Sequence, residues 1–174
     1  KLLAEAGYPS GFEVGMNCPN DRYVNDGEIC TAVAANLARI GVKVNLQAES
    51  KATYFPKILR RDTSFYMLGW TPGTYDAHNA LSNLMATPTD KGQGQFNLGS
   101  YSNPKLDELL DKEQQEFDPK KRRQYLSQAM SILTEDAPAC FMWRHKLLWG
   151  LNKRIEYQPL PDGRIYAIDI TVKK

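Results

Sequence analysis

Apolar and polar residues alternate at the start of the chain: Phe12, Val14 and Met16 stand on one parity, Glu13, Gly15 and Asn17 on the other. A period of two predicts a strand, and the turn-forming cluster Asn17-Cys18-Pro19-Asn20-Asp21 follows it. Ile29, Val33, Leu37 and Ile40 then recur at helical spacing, and Gly41 ends that helix. Alternation resumes at once, with Val42, Val44, Leu46 and Ala48 set against Lys43, Asn45 and Gln47. A strand–helix–strand unit of this length predicts a right-handed crossover between parallel strands. A short helix is expected over 52–61. Phe65-Tyr66-Met67-Leu68-Gly69-Trp70 is apolar without alternation, the pattern of a strand covered on both faces. One of the first two strands should pair with it in parallel.

Past Trp70 the pattern dissolves into the polar and aromatic loop Thr71-Pro72-Gly73-Thr74-Tyr75-Asp76-Ala77-His78-Asn79. A helical turn is expected at 80–85 and a loop at 87–100. Asn103-Pro104 and Asp118-Pro119 each set a capping side chain before a proline at the first helical position. Leu106, Leu109, Leu110 and Phe117 form the apolar stripe of the first helix, and Leu126, Ala129, Met130 and Leu133 that of the second. Residues 139–149 read as a strand, and two shorter strands are expected between Arg154 and Val172, around the turn Pro161-Asp162-Gly163. The opening Lys1-Leu2-Leu3-Ala4-Glu5-Ala6-Gly7-Tyr8-Pro9 reads as the last turns of a helix whose beginning is missing, as in a piece cut from a longer chain.

These elements make an α/β domain. At 174 residues with 42% hydrophobic positions the chain supports one sizeable core, since ~150 residues bury roughly 70% of their unfolded surface. Lys and Arg number 22 against 20 Asp and Glu, a net charge of +2, so no nucleic-acid partner is expected. The densest basic run, Lys120-Lys121-Arg122-Arg123, is read as a solvated helix face, as are the acidic pairs Asp107-Glu108 and Glu135-Asp136. No apolar run reaches the ~18 residues of a membrane span. Cys18, Cys30 and Cys140 are odd in number with no paired spacing, and are expected as buried thiols acting as small hydrophobes.

Chemistry is sparse. His78 and His145 are the only two histidines, and there is neither a G-x-S-x-G elbow nor a Gly-Lys-Ser/Thr phosphate loop. Gly92-Gln93-Gly94-Gln95-Phe96 starts like a dinucleotide fingerprint but follows a loop and lacks the third glycine. Asp76-x-His78 offers two metal ligands and no third at conventional spacing. No metal, cofactor or catalytic residue is therefore expected. In open α/β sheets ligands bind beyond the carboxyl ends of the strands, which here means the loops after Met16 and after Trp70. The alternative of a different class is a thiol- or metal-dependent hydrolase using His78 with Cys18 or Asp76.

Several segments together resemble the periplasmic solute-binding proteins of ABC importers, extracellular family 5 (peptide/nickel type). They are Leu2 to Pro9; Leu37-Ala38-Arg39-Ile40-Gly41-Val42-Lys43-Val44; Leu68-Gly69-Trp70-Thr71-Pro72 with Asp76; Asn97; Tyr101 to Leu110; and Glu135-Asp136-Ala137-Pro138. Their order and spacing run across nearly the whole chain. The resemblance implies a periplasmic-binding-protein type II lobe, a mixed, mostly parallel sheet flanked by helices. Residues 1–150 would form the C-terminal ligand-binding lobe of a two-lobed protein. Residues 151–174 would be a tail that crosses back to the missing N-terminal lobe. It implies a periplasmic protein that is not an enzyme: it captures a small, peptide-like or other solute in an interlobe cleft and delivers it to an inner-membrane ABC permease. Peptide-binding members carry an acid three positions after the motif tryptophan to pair with the peptide α-ammonium. That position here is Gly73, so an α-amine clamp of that kind is not expected. Ligand contacts are expected from Trp70, Tyr75, Asp76 and His78 in the second loop and from Asn20, Asp21, Arg22 and Tyr23 in the first. Trp70 is expected to face the cleft rather than the core.

Overall fold

The computed structural model describes residues 1–160 and 163–173, so the turn expected at Pro161-Asp162-Gly163 falls on two residues outside that range. In chain order the elements are α1 (Leu2–Glu5), β1 (Phe12–Pro19), α2 (Asp26–Ala38), β2 (Val42–Glu49), α3 (Lys51–Leu59), β3 (Phe65–Tyr66), α4 (Ala77–Leu84), α5 (Pro104–Gln115), α6 (Pro119–Asp136), β4 (Ile155–Tyr157) and β5 (Ile170–Val172). The main sheet has the order β2-β1-β3 and is parallel throughout. β1 runs in register with β2 from Phe12 opposite Val42 to Pro19 opposite Glu49. Met16 and Asn17 pair with Phe65 and Tyr66, and the Met67 N–H donates to the Asn17 carbonyl at 3.3 Å, the last rung before the chain leaves the sheet. β4 and β5 pair antiparallel in a separate two-stranded sheet.

The unbroken apolar run at β3 follows from burial on both sides. Phe65 and Met67 pack on the cluster Met16, Cys18 and Cys30, against α2. Tyr66 and Leu68 pack on Tyr54, Ile58 and Leu98, against α3. Successive residues thus feed two different cores, so neither parity can be polar. A third core, built on Leu81, Met85, Leu106, Leu110, Ala129 and Leu133, binds α4, α5 and α6 together. Both proline-started helices are capped as expected. Asn103 accepts from the Lys105 and Leu106 N–H groups, and Asp118 from those of Lys120 and Lys121.

Several expectations are corrected. Cys18 and Cys30 are not thiols: they form a disulfide, because α2 packs back across the carboxyl end of β1 and brings their Cα atoms to 6.5 Å. Cys140 is a free cysteine but exposed, and residues 139–149 form no strand. Among the described residues no strand pairs with that run, and its Phe141, Trp143 and Leu148 stay exposed. Phe117 falls in the turn beyond α5 and is 97% exposed, while Ile132 takes the inward place expected of Met130. Ile40, beyond the end of α2, is exposed as well.

Candidate ligand-binding site

β1 and β3 are neighbours and parallel, so the loops that follow them emerge at one edge of the sheet. The first loop is held from inside by Asp26, the first residue of α2 and almost fully buried. Its Oδ2 accepts the N–H groups of Arg22 and Tyr23, both at 2.9 Å, and Oδ1 accepts that of Gly27 at 3.0 Å. Burial alone pushes the Asp26 carboxyl up, but the N–H groups of Tyr23, Arg22 and Gly27 outweigh it and hold it below the usual carboxylate range. The Cys18–Cys30 bridge closes the same segment covalently. Asn20 donates its N–H to the Glu49 carbonyl at 2.9 Å, and Asp21 Oδ1 accepts the Lys51 N–H at 2.6 Å where α3 begins.

Tyr23 joins the first loop to the second. Its hydroxyl accepts the Gly69 N–H at 3.0 Å and lies 3.3 Å from the Gly69 carbonyl. The ring approaches so closely that a Cβ on Gly69 would stand 2.9 Å from Tyr23 Cε1, which is why glycine precedes Trp70. The Arg22 guanidinium sits 4.9 Å above the Tyr23 ring, in cation–π contact, and its side chain is exposed.

In the second loop Trp70 is half-buried. Its Nε1–H donates to Asn79 Oδ1 at 2.9 Å and its ring packs 5.1 Å from that of Phe96. Gly73 is exposed with open space where a side chain would project, and Tyr75 is 53% exposed. Asp76 caps α4 by accepting the His78 N–H at 2.8 Å, and both its oxygens are taken by Arg122 of α6, at 2.7 and 2.8 Å. This fork, more than any other contact, holds the Asp76 carboxyl down to about 2, against the opposing effect of burial. Arg122 Nη2 also lies 2.8 Å from Oε2 of the fully buried Glu113, whose Oε1 bonds His78 Nδ1. Thr74, Asp76, His78, Asn79, Ser82, Asn83 and Arg122 line an open depression of about 400 Å³ beside this network.

The eight expected contact residues therefore fall into two groups. Arg22, Tyr23 and Trp70 lie at or beside the Tyr23–Gly69 junction, with Asn20 and Asp21 in the same loop but bonded to Glu49 and Lys51. Asp76 and His78 turn toward α6 and α5, with Tyr75 on the connecting turn. Glu113 and Arg122 were not expected. Arg122 hid within a basic run, although Glu113 was legible as an acid three residues after Leu110 and seven after Leu106, on the apolar stripe of α5. The thiol form of the hydrolase alternative fails on geometry, since the Cys18 sulfur is bonded to Cys30. Among the described residues no three His, Cys, Asp or Glu side chains come together as metal ligands.

The family model for bacterial extracellular solute-binding proteins, family 5 Middle, matches residues 1–92. The glutathione-binding protein GsiB of Pectobacterium atrosepticum is 27% identical over 168 residues, covering 93% of this chain and 32% of that protein. The structure of HbpA2 from Haemophilus parasuis superposes with a TM-score of 0.75 at 25% identity, over 99% of this chain and 34% of that one. DppA from Helicobacter pylori, solved in complex with the peptide STSA, superposes with a TM-score of 0.72 at 26% identity, over 79% of this chain and 26% of that one. The chain spans about a third of the length of the relatives it matches. Its parallel sheet flanked by helices is the architecture of a type II periplasmic-binding-protein lobe, and the chain belongs to the bacterial extracellular solute-binding proteins of family 5.

Proposed function

We propose that residues 1–150 form the solute-capturing C-terminal lobe of a two-lobed periplasmic binding protein that serves an ABC permease. The tail 151–174 crosses back to the N-terminal lobe, and no bond is made or broken. The observation that carries this reading is the meeting of two loops at the carboxyl edge of the sheet, where Tyr23 is bonded to Gly69 beside the half-buried ring of Trp70. A ligand bridging this surface and the opposite lobe favours the closed form, the form a permease would recognise. The buried Cys18–Cys30 disulfide supports a compartment outside the cytoplasm.

The chemistry of the surface narrows the solute. Gly73 brings no acid, and Asp76 is neutralised by Arg122, so this stretch offers no uncommitted carboxylate to an ammonium group. Arg22 offers an exposed guanidinium instead, and Trp70 an aromatic face. These favour a small peptide-like solute with a carboxylate and an apolar part. The relatives named for glutathione and solved with a peptide agree with that class. Calorimetry of the full-length protein with N-acetylated dipeptides, C-amidated dipeptides and glutathione tests it. The acetylated form, which keeps the carboxylate and lacks the ammonium, should bind, and the amidated form should not. Tight binding of the amidated form alone would reverse the assignment of charge. Binding of none of the three would remove the peptide-like class.

A further inference from the structure

We propose that Arg122 and Glu113 are positioning residues for the Trp70–Asp76 segment: they clamp the start of α4, and through it the Trp70 ring, to the α5–α6 pair. What the segment is held in place for rests on the solute-binding reading; the clamp itself rests on geometry alone.

The sheet does not place Trp70. β3 ends at Tyr66 and the last rung is made by Met67, so between Leu68 and the start of α4 no ladder bond fixes the chain. Beyond the Tyr23–Gly69 contact, the ring is referenced to α4, through the Nε1–H bond to Asn79 in its first turn and through the contact with Phe96. α4 in turn starts at Asp76, and Asp76 is gripped by the planar fork of Arg122. A two-point fork fixes the orientation of a carboxylate as well as its position, which a point charge does not. Tyr75, immediately before Asp76, has φ +56°, a left-handed conformation that a non-glycine residue adopts only when its neighbours hold it.

Two features are poorly explained by stability alone. Arg122 lies in the first turn of α6, where the helix dipole disfavours a cation. Glu113 is a carboxylate at 0% exposure on an otherwise apolar stripe. A buried ionic cluster is often no more stable than apolar residues of the same volume, so its gain lies in fixing one arrangement of groups over others. Here the arrangement fixed is that of α4 against α5 and α6: Glu113 holds His78 on one side and faces Arg122 on the other, and Arg122 holds Asp76.

The test is amide hydrogen exchange and indole ¹⁵N NMR on the full-length, ligand-free protein, comparing wild type with Arg122→Met, Arg122→Lys, Glu113→Gln and the control Lys121→Met. The Trp70 indole signal is assigned with Trp70→Phe. Arg122→Met should speed exchange over 70–79 by about tenfold or more and move the Trp70 indole signal, while Leu110 and Leu133 amides stay within about threefold. Arg122→Lys, keeping the charge without the fork, should fall between, Glu113→Gln should follow Arg122→Met, and Lys121→Met should change nothing. Where Arg122→Met does not fold, Arg122→Lys carries the same comparison. Unchanged exchange over 70–79, or equal acceleration throughout α4, α5 and α6, overturns the clamp. Because exchange is read without ligand, a wild type that binds no peptide in calorimetry would strike the functional reading alone.

Discussion

At the scale of the residue, Trp70 and Asp76 show how a side chain can be placed near a site and still be committed elsewhere. Trp70 was expected to face the cleft and not the core. Its ring is half-buried against Phe96 with the indole N–H bonded to Asn79, so it stands between those two states. Trp70→Ala should cost about 2 kcal/mol of stability, less than the ~3–5 kcal/mol of a fully buried tryptophan. Trp70→Phe, which keeps a ring and loses the donor, should cost about 1 kcal/mol. Urea titration of both variants measures this, and a loss of core size in Trp70→Ala would return the residue to the core. For Asp76 the sign follows from a carboxyl held down to about 2 by Arg122. A depressed folded value adds stability that is complete above the unfolded value, ~3.9, and fades as pH falls toward 2. With the Asp76 side chain 35% exposed, solvent screening reduces the effect to about 1 kcal/mol. The acid limb of stability between pH 4 and 2 should therefore flatten in Asp76→Asn. An acid limb unchanged by the substitution would show that the pair contributes nothing.

At the scale of the element, what could be read in the sequence is what short-range physics decides. The parallel unit β1–α2–β2, the doubly covered β3 and the two proline-started helices follow from period, apolar run and capping chemistry, all local. The Cys18–Cys30 bridge does not, because twelve residues separate a strand end from a helix turn and only the crossover brings them together. The same holds for Arg122, whose partners lie on two other helices. Residues 139–149 misled for the opposite reason: an apolar run reads as a strand whether or not a partner is present. For the candidate site, the topological rule located both loops, while the linkage through Tyr23 and Gly69 depended on a ring packing where a glycine leaves room. The disulfide encloses most of the first loop, and it should matter in proportion. A closed loop of this size contributes about 3 kcal/mol, so the double variant Cys18→Ala/Cys30→Ala should lose about 2–3 kcal/mol in urea titration. A loss within about 0.5 kcal/mol would mean that the bridge is not formed in solution.

At the scale of the whole molecule, the C-terminal part behaves unlike the rest. Phe141, Trp143, Leu147, Leu148 and Ile168 are exposed, at 62%, 48%, 53%, 90% and 92%. Four of the five fall within residues 141–148, and large apolar side chains exposed so close together in the chain mark a surface that another surface covers. Since the chain spans about a third of its relatives' length, the covering surface under the two-lobe proposal is the N-terminal lobe of the same protein. Stability then depends on which molecule carries the substitution. In the isolated 174-residue chain Leu148→Ser removes a side chain already in water and should change stability by less than about 0.5 kcal/mol. Under the two-lobe proposal the same leucine is covered in the full-length protein, and losing it there should cost about 2 kcal/mol, the transfer energy of one leucine side chain. Denaturant titration of the two pairs gives the difference, which is free of errors common to both. The isolated chain should also bind an apolar dye that the full-length protein excludes. A small loss in both molecules would mean that the N-terminal lobe does not cover Leu148.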